Sequence, residues 1–294
     1  MKRILITGAN SFIGTSFEKY IKENFPNDYY VETVDMLDPN WREKSFSGFD
    51  SVYHVAGIAH SDTGKVTEER KAFYYKINTN LTIETAKKAK TDGVKQFIFM
   101  SSAIVYGDSA PIGKSNVITK DTPVSPANFY GDSKVQAENG LKEMADDTFK
   151  VVILRPPMIY GPGCKGNYPV LRKFALKLPL FPKVKNNRSM LYIGNLVEFV
   201  RLMIDNDEEG TFWPQNAEYS NTSEMVKLIA ETHNRKVCII PGFTWALKIL
   251  SHVTGLVNKA FGSLAYDKAI SVYSKGKYQK FLLVKSIRET EETS

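Results

Sequence analysis

The stretch Arg3-Ile4-Leu5-Ile6-Thr7-Gly8-Ala9-Asn10-Ser11-Phe12-Ile13-Gly14 passes from an apolar segment through a turn into a helical run that continues to about Tyr20. Strand, glycine turn and helix start in that order form the context in which a helix N-terminus takes a dinucleotide pyrophosphate, because its unpaired N–H groups and its dipole both favour an anion. Gly8, Asn10, Ser11, Phe12, Ile13 and Gly14 are therefore the expected cofactor-binding turn. Ser11 departs from the pattern, standing where a glycine usually lets the backbone approach the diphosphate. A serine serves there if its hydroxyl bonds a phosphate or the neighbouring backbone, since Asn10-Ser11 can hold a tight turn by local hydrogen bonds.

Downstream, Tyr29 to Val34 predicts a second strand ending in Asp35, 21 residues after Gly14. An acid at that position binds the free 2′-hydroxyl of an adenosine ribose and repels a 2′-phosphate, which favours NAD over NADP. The plainer alternative is a strand-end turn aspartate. Asp50 to Gly57 reads as the next strand and glycine turn, with Ala56 and Gly57 in the turn, and a helix follows from about Glu68 to Asp92 with Asn78 on it. Phe97-Ile98-Phe99-Met100-Ser101-Ser102 is an apolar run ending in two hydroxyls, a buried parallel strand that delivers Ser102 at its carboxyl end. Strands alternating with helices give an α/β class with a doubly wound parallel sheet, whose ligands bind at that edge.

Tyr130-Gly131-Asp132-Ser133-Lys134 begins a run of good helix formers, placing Tyr130 and Lys134 one turn apart on one face. A phenol with its free pKa of about 10 is a poor proton acceptor at neutral pH, and a fixed cation beside it favours the phenolate. Lowering that pKa by about three units takes roughly 4 kcal/mol, within reach of a desolvated lysine plus the positive charge of an oxidised nicotinamide. The spacing alone also fits an exposed helix carrying a tyrosine and a lysine; the strand delivering Ser102 weighs against that reading.

Taken in order, Thr7-Gly8, Gly14, Asp35, His54-x-Ala56-Gly57, Asn78, Ser101 to Gly107, Tyr130-x-x-x-Lys134 and Arg155-Pro156 resemble the extended short-chain dehydrogenase/reductases of the NAD-dependent epimerase/dehydratase group, from residue 3 to about residue 215. The resemblance implies a seven-stranded Rossmann domain with a smaller C-terminal substrate domain. It makes Tyr130 the general acid/base, Ser102 a hydrogen-bond donor to the reacting oxygen, and Lys134 the partner of the nicotinamide ribose. Pro157, in the irregular run after Leu154, is set at the nicotinamide carboxamide. Asn167 and Arg188 match positions that hold the substrate diphosphate, with a surface ion pair the plainer reading for Arg188, and Leu180-Phe181-Pro182 matches the stretch lining the nucleotide base. Residues 1–156 and 188–213 are assigned to the NAD domain, 157–187 and 214–294 to the substrate domain.

The activity so implied is NAD-dependent oxidoreduction of a nucleotide-linked hexose, foremost 4-epimerisation through a transient 4-ketosugar. An NAD(P)H-dependent reductase of a nucleotide 4-ketosugar uses the same residues, and a non-catalytic dinucleotide-binding redox sensor is the reading from another class. Dehydration is disfavoured, because relatives that eliminate water carry an acidic pair after the catalytic hydroxyl and this chain has Ala103-Ile104. The implied partner is a nucleotide-sugar substrate, with a homodimer left open.

At 294 residues with 43% hydrophobic content the chain can bury a full core. With no apolar run of membrane-spanning length and no signal-peptide pattern after Met1, a cytoplasmic protein is expected. Cys164 and Cys238 are too far apart for zinc spacing and suit free thiols, and His54, His60, His233 and His252 lack ligand spacing, so no metal is expected. The net charge of +7 is uneven: from Phe243 to Lys285 the lysines at 248, 259, 268, 275, 277, 280 and 285 face only Asp267. That stretch is either a solvated basic face or an attraction for a sugar nucleotide, a lipid-linked pyrophosphate or a membrane surface; nothing in it matches a nucleic-acid motif. Apolar residues at Trp245, Ile249, Val253, Leu256, Val257 and Ala260 predict a helix within Phe243 to Phe261, and the acidic tail after Arg288 is expected to be loose.

Overall fold

The structure, a computed structural model, describes residues 1–58, 66–253 and 255–292; His60 lies outside these. It divides into two compact units.

The first unit comprises Met1–Gly107, Val124–Pro156 and Val197–Phe212. Strands β1 (Lys2–Thr7), β2 (Tyr29–Val34), β3 (Ser51–His54) and β4 (Gln96–Met100) join Lys150–Leu154 and Gly210–Phe212 in one parallel sheet. Its order is β2, β1, β3, β4, Lys150–Leu154, Gly210–Phe212. Apolar residues fill these strands because helices cover both faces: Ile4, Leu5 and Ile6 in β1 and Phe97, Ile98 and Phe99 in β4 are wholly buried. The family resemblance implies seven strands; the described sheet has six. Between β2 and β3 the chain instead makes a short 3₁₀ turn, Pro39–Arg42, and buries Trp41 and Phe46 against Leu5, Val52 and Phe97.

Helix α1 (Phe12–Asn24) follows β1, and α2 (Glu68–Tyr75) runs through a π turn, Lys76–Leu81, into α3 (Thr82–Thr91). Helix α4 (Phe129–Met144) starts at Asn128, whose side chain accepts from Gly131 N at 3.0 Å. The register pairs Thr7 with both Val34 and His54, His54 with Phe99, and Met100 with Leu154. Consequently the loops carrying Gly8, Asp35, Ala56-Gly57, Ser102 and Arg155 all leave one edge, and the sheet order reverses at β1, the position where such sheets bind ligands.

The second unit comprises Asp108–Pro123, Pro157–Leu196 and Trp213–Ser294. Two segments fall differently from the sequence assignment. Residues 108–123 belong here because Val117–Ile118 pairs with Ala265–Tyr266, and Ala110 bridges Ser263. Residues 188–196 do so because Met190–Tyr192 pairs with Met158–Tyr160. Helices Asn167–Lys177, Thr222–Thr232, Thr244–Val253 and Gly255–Phe261 make up much of the rest. The tail is ordered rather than loose as far as Glu292. Helix Leu283–Glu292 buries Leu283, Ser286, Ile287, Thr290 and Glu291, a helical spacing that gives it a packing face. Glu291 accepts hydrogen bonds from Tyr168 at 2.8 Å and Arg172 at 2.7 Å, with His233 Nε2 at 2.7 Å.

Candidate active site

The turn after β1 is built for close approach. Gly8 has φ +103, and a Cβ there would meet Ala56 N at 2.8 Å. Asn10 adopts the left-handed conformation at φ 60, which asparagine tolerates. Ser11 is the N-cap of α1: its hydroxyl accepts from Gly14 N at 3.1 Å, so the turn without a middle glycine is closed by a side-chain bond to neighbouring backbone. A Cβ on Gly14 would lie 2.7 Å from that hydroxyl, so the two residues fix each other's identity. Phe12 and Ile13 occupy the first turn of α1, which carries no carboxylate to neutralise the positive helix end. Asp35 is exposed at the end of β2, its Oδ1 accepting from Leu37 N at 2.9 Å. A helix end free of acids, a glycine cradle and an exposed carboxylate at the strand end fit the phosphates and ribose of a dinucleotide.

The reacting group stands at the end of β4. Ser102 caps the 3₁₀ turn Ala103–Tyr106 through Ile104 N at 3.3 Å and hydrogen-bonds the phenol of Tyr130. Lys134, one turn along α4 and buried, donates from Nζ to Met100 O at 2.9 Å and lies 4.8 Å from the Phe99 ring centroid. The sequence expectation counts the charge of an oxidised nicotinamide beside that of Lys134, and without that charge the phenol stands higher. Burial pushes the Tyr130 phenol up to about 12, with Tyr74 adding to the rise and the Ser102 bond opposing it; Lys134 is not among the causes. Burial also draws Lys134 down to about 8, against the pull of Glu138. In the protein alone, desolvation sets the phenol's pKa, while the ammonium is held by a backbone carbonyl.

Asn78 ties these parts together. Its Oδ1 accepts from Ile58 N at 3.0 Å, and its Nδ2 donates to Ile58 O and to Ser133 Oγ, each at 3.2 Å. The packing beside it is tight: a Cβ on Gly57 would meet Asn78 Oδ1 at 3.1 Å and Lys134 Nζ at 3.3 Å. Asn78 sits in the π turn, a distortion that re-aims side chains at functional sites. Below it, Thr82 gives its proton to Asn78 O at 2.9 Å and so accepts from His54 Nε2 at 3.0 Å, leaving His54 Nδ1 to accept from Thr7 at 2.7 Å. Burial, helped by the charge of Lys134, lowers His54 to about 3, so it is a neutral joint between β1, β3 and α3.

Sequence reasoning missed the group behind the site. Glu138 accepts from Arg155 Nε at 3.0 Å and Nη2 at 2.5 Å, and from Ser101 Oγ at 2.5 Å; Arg155 Nη1 also donates to Tyr106 at 2.6 Å. Glu138 and Arg155 are both buried. The signal was present, since Glu138 is four residues past Lys134 on the same helical face. Tyr74 was missed as well; it is buried, with its ring 6.1 Å from that of Tyr130 and edge-on to it.

Of the remaining site residues, Pro157 begins the second unit, just before the strand Met158–Tyr160. Asn167 and Arg188 are brought together within that unit, on one 380 Å³ cavity. Asn167 starts its helix, and Arg188 donates from Nη1 to Gly262 O at 3.3 Å, with burial lowering its pKa. Ser220, another lining residue, has a buried hydroxyl with no hydrogen-bond partner among the described residues. Most of the wall is apolar, including Leu171, Phe174, Met190 and Phe261. Phe181, on the strand Leu180–Pro182, is buried with its ring 5.8 Å from that of Phe261.

The fold and the Ser102, Tyr130, Lys134 group define a Rossmann-type, nicotinamide-dependent enzyme. The chain belongs to the NAD dependent epimerase/dehydratase family, whose model matches residues 4–213. It is 31% identical over 291 residues to a UDP-glucose 4-epimerase of Vibrio cholerae, covering 90% of this chain and 87% of the relative. It is 29% identical over 252 residues to the N-acetyl-alpha-D-glucosaminyl-diphospho-ditrans,octacis-undecaprenol 4-epimerase of Escherichia coli O157:H7, covering 80% and 73%. The structure of UDP-glucuronic acid 4-epimerase from Bacillus cereus in complex with NAD superimposes with a TM-score of 0.74 at 17% identity, over 99% of this chain and 98% of that one. Among the described residues no helix is long and apolar enough to cross a membrane.

Proposed function

We propose that this enzyme inverts C4 of a nucleotide-linked hexose. The observation that carries the reading is Ser102 hydrogen-bonded to Tyr130 at the end of β4, with Lys134 one turn further along α4. NAD, when bound, supplies the hydride acceptor and the hydride that is returned. Gly8 to Gly14 and Asp35 would hold its phosphates and ribose, and Lys134 its second ribose. Tyr130 takes the proton from the sugar's 4-hydroxyl and returns it to the same oxygen, while Ser102 steadies that oxygen as it becomes a carbonyl. Asn167 and Arg188 grip the diphosphate, for which the planar guanidinium is suited.

Elimination of water is not supported by the turn after Ser102. Ala103 is buried with its N–H on Pro156 O at 2.9 Å, and that turn carries no acid. The test is mass analysis of the cofactor that copurifies, followed by NMR of sugar nucleotides incubated without added cofactor. Interconversion of 4-epimers with retained NAD is the expected result. A need for stoichiometric NAD(P)H would select the ketosugar reductase instead. Bound dinucleotide with no turnover of any sugar would select a redox sensor.

A further inference from the structure

Helix Thr244–Val253 turns Trp245 and Ile249 outward. Trp245 is 66% exposed, Ile249 60%, and the adjoining Phe243 50%. Trp245, Lys248 and Ile249 stand at i, i+3 and i+4 and so share one helical face. Ala246 and Leu247, the smaller or more central apolar residues, are the half-buried ones. A helix that hides alanine and leucine while presenting tryptophan and isoleucine beside a lysine has the make-up of an interfacial helix.

Charge selects the occupant. From Phe243 to Lys285 seven lysines oppose one acid, and Lys248, Lys268, Lys275, Lys277, Lys280 and Lys285 are exposed. Lys248 reaches the loop Pro111–Lys114, where a Cβ on Gly113 would meet its Nζ at 3.4 Å, and Lys114 is exposed next to it. A second copy seated on this face by a twofold axis would add its own Lys248 and Lys114 to these, whereas an anionic lipid surface attracts both.

We propose that Phe243, Trp245, Lys248 and Ile249 rest the second unit on an anionic lipid surface, with the helix lying in the plane of the interface. The next helix, Gly255–Phe261, supplies Val257, Ala260 and Phe261 to the cavity that holds Arg188. Surface contact and cavity thus belong to successive helices. In a use that rests only on the C4 inversion proposed above, the hexose would be carried on a lipid diphosphate in place of the nucleotide.

The full chain is to be cosedimented, without substrate, with vesicles of phosphatidylcholine alone or with roughly a third phosphatidylglycerol, at low and raised salt. Salt-sensitive binding to the anionic vesicles only, with a blue shift of tryptophan emission, is expected. Trp245→Ser/Ile249→Ser should weaken it at least about tenfold, since two exposed apolar side chains are lost, and Lys248→Gln about fivefold at low salt. No binding of wild type to anionic vesicles at low salt overturns the proposal, as does binding by the double variant equal to wild type. Self-association that the double variant abolishes, with no vesicle binding, would assign the face to a second copy. Because vesicle binding is read without turnover, its failure is distinct from a failure to epimerise.

Discussion

Replacing Lys134 by methionine removes an ammonium and keeps most of the side chain's length. Lys134 is 6% exposed, and burial lowers its pKa from the ordinary 10.5 to about 8. Keeping it charged in the folded protein therefore costs on the order of 3 kcal/mol. Against this, the variant orphans Met100 O and loses the contact with the Phe99 ring, together about 1–2 kcal/mol. Lys134→Met should accordingly be more stable than wild type by about 1–2 kcal/mol at neutral pH, raising Tm by several degrees, while turnover is lost. The pH course fixes the sign. The folded pKa lies below the unfolded one, so the penalty on wild type is present in full below about pH 8, shrinks as pH rises toward 10.5, and is gone above it. Urea unfolding of both proteins at pH 7 and near pH 10 measures the difference. A variant less stable than wild type at neutral pH, or an advantage that does not shrink with rising pH, would refute the assignment of Lys134 as a desolvated cation.

Tyr130→Phe should abolish turnover yet leave the cofactor bound, as seen by NMR of the sugar and absorbance of the retained dinucleotide; activity within a few-fold of wild type would remove Tyr130 from the chemistry. Wild type should prefer NAD, and Asp35→Ala should lose about 1.5–3 kcal/mol of that preference with the charged hydrogen bond; tighter binding of NADP by wild type in titration calorimetry would contradict this. Ser11→Ala should cost about 1 kcal/mol of stability through the lost helix cap and loosen NAD, whereas tighter NAD binding by Ser11→Gly would mean that the serine crowds the diphosphate. Glu138→Gln strands the buried guanidinium of Arg155 and should destabilise the chain by about 3–5 kcal/mol, with Glu138→Leu/Arg155→Met closer to wild type; a single variant as resistant to urea as wild type would show that the buried pair does not hold α4 to the segment carrying Arg155.

The sequence determined what depends on near neighbours along the chain. Strand, glycine turn and helix at residues 3–24, Asp35 at the end of β2, Ser102 at the end of β4, and Tyr130 and Lys134 one helical turn apart all follow from periodicity and spacing. Tertiary structure alone decided where polar groups find partners. It gave the Lys134 ammonium to Met100 O, and the Glu138 carboxylate to an arginine 17 residues away. It also made the tail a packed helix by burying Glu291 among Tyr168, Arg172 and His233. The charge state of the Tyr130 site belongs to this second class. Spacing says that a lysine is near the phenol, but the pKa depends on how much water both have lost and on which acceptor holds the ammonium, and those are set by residues distant in sequence that fold against them.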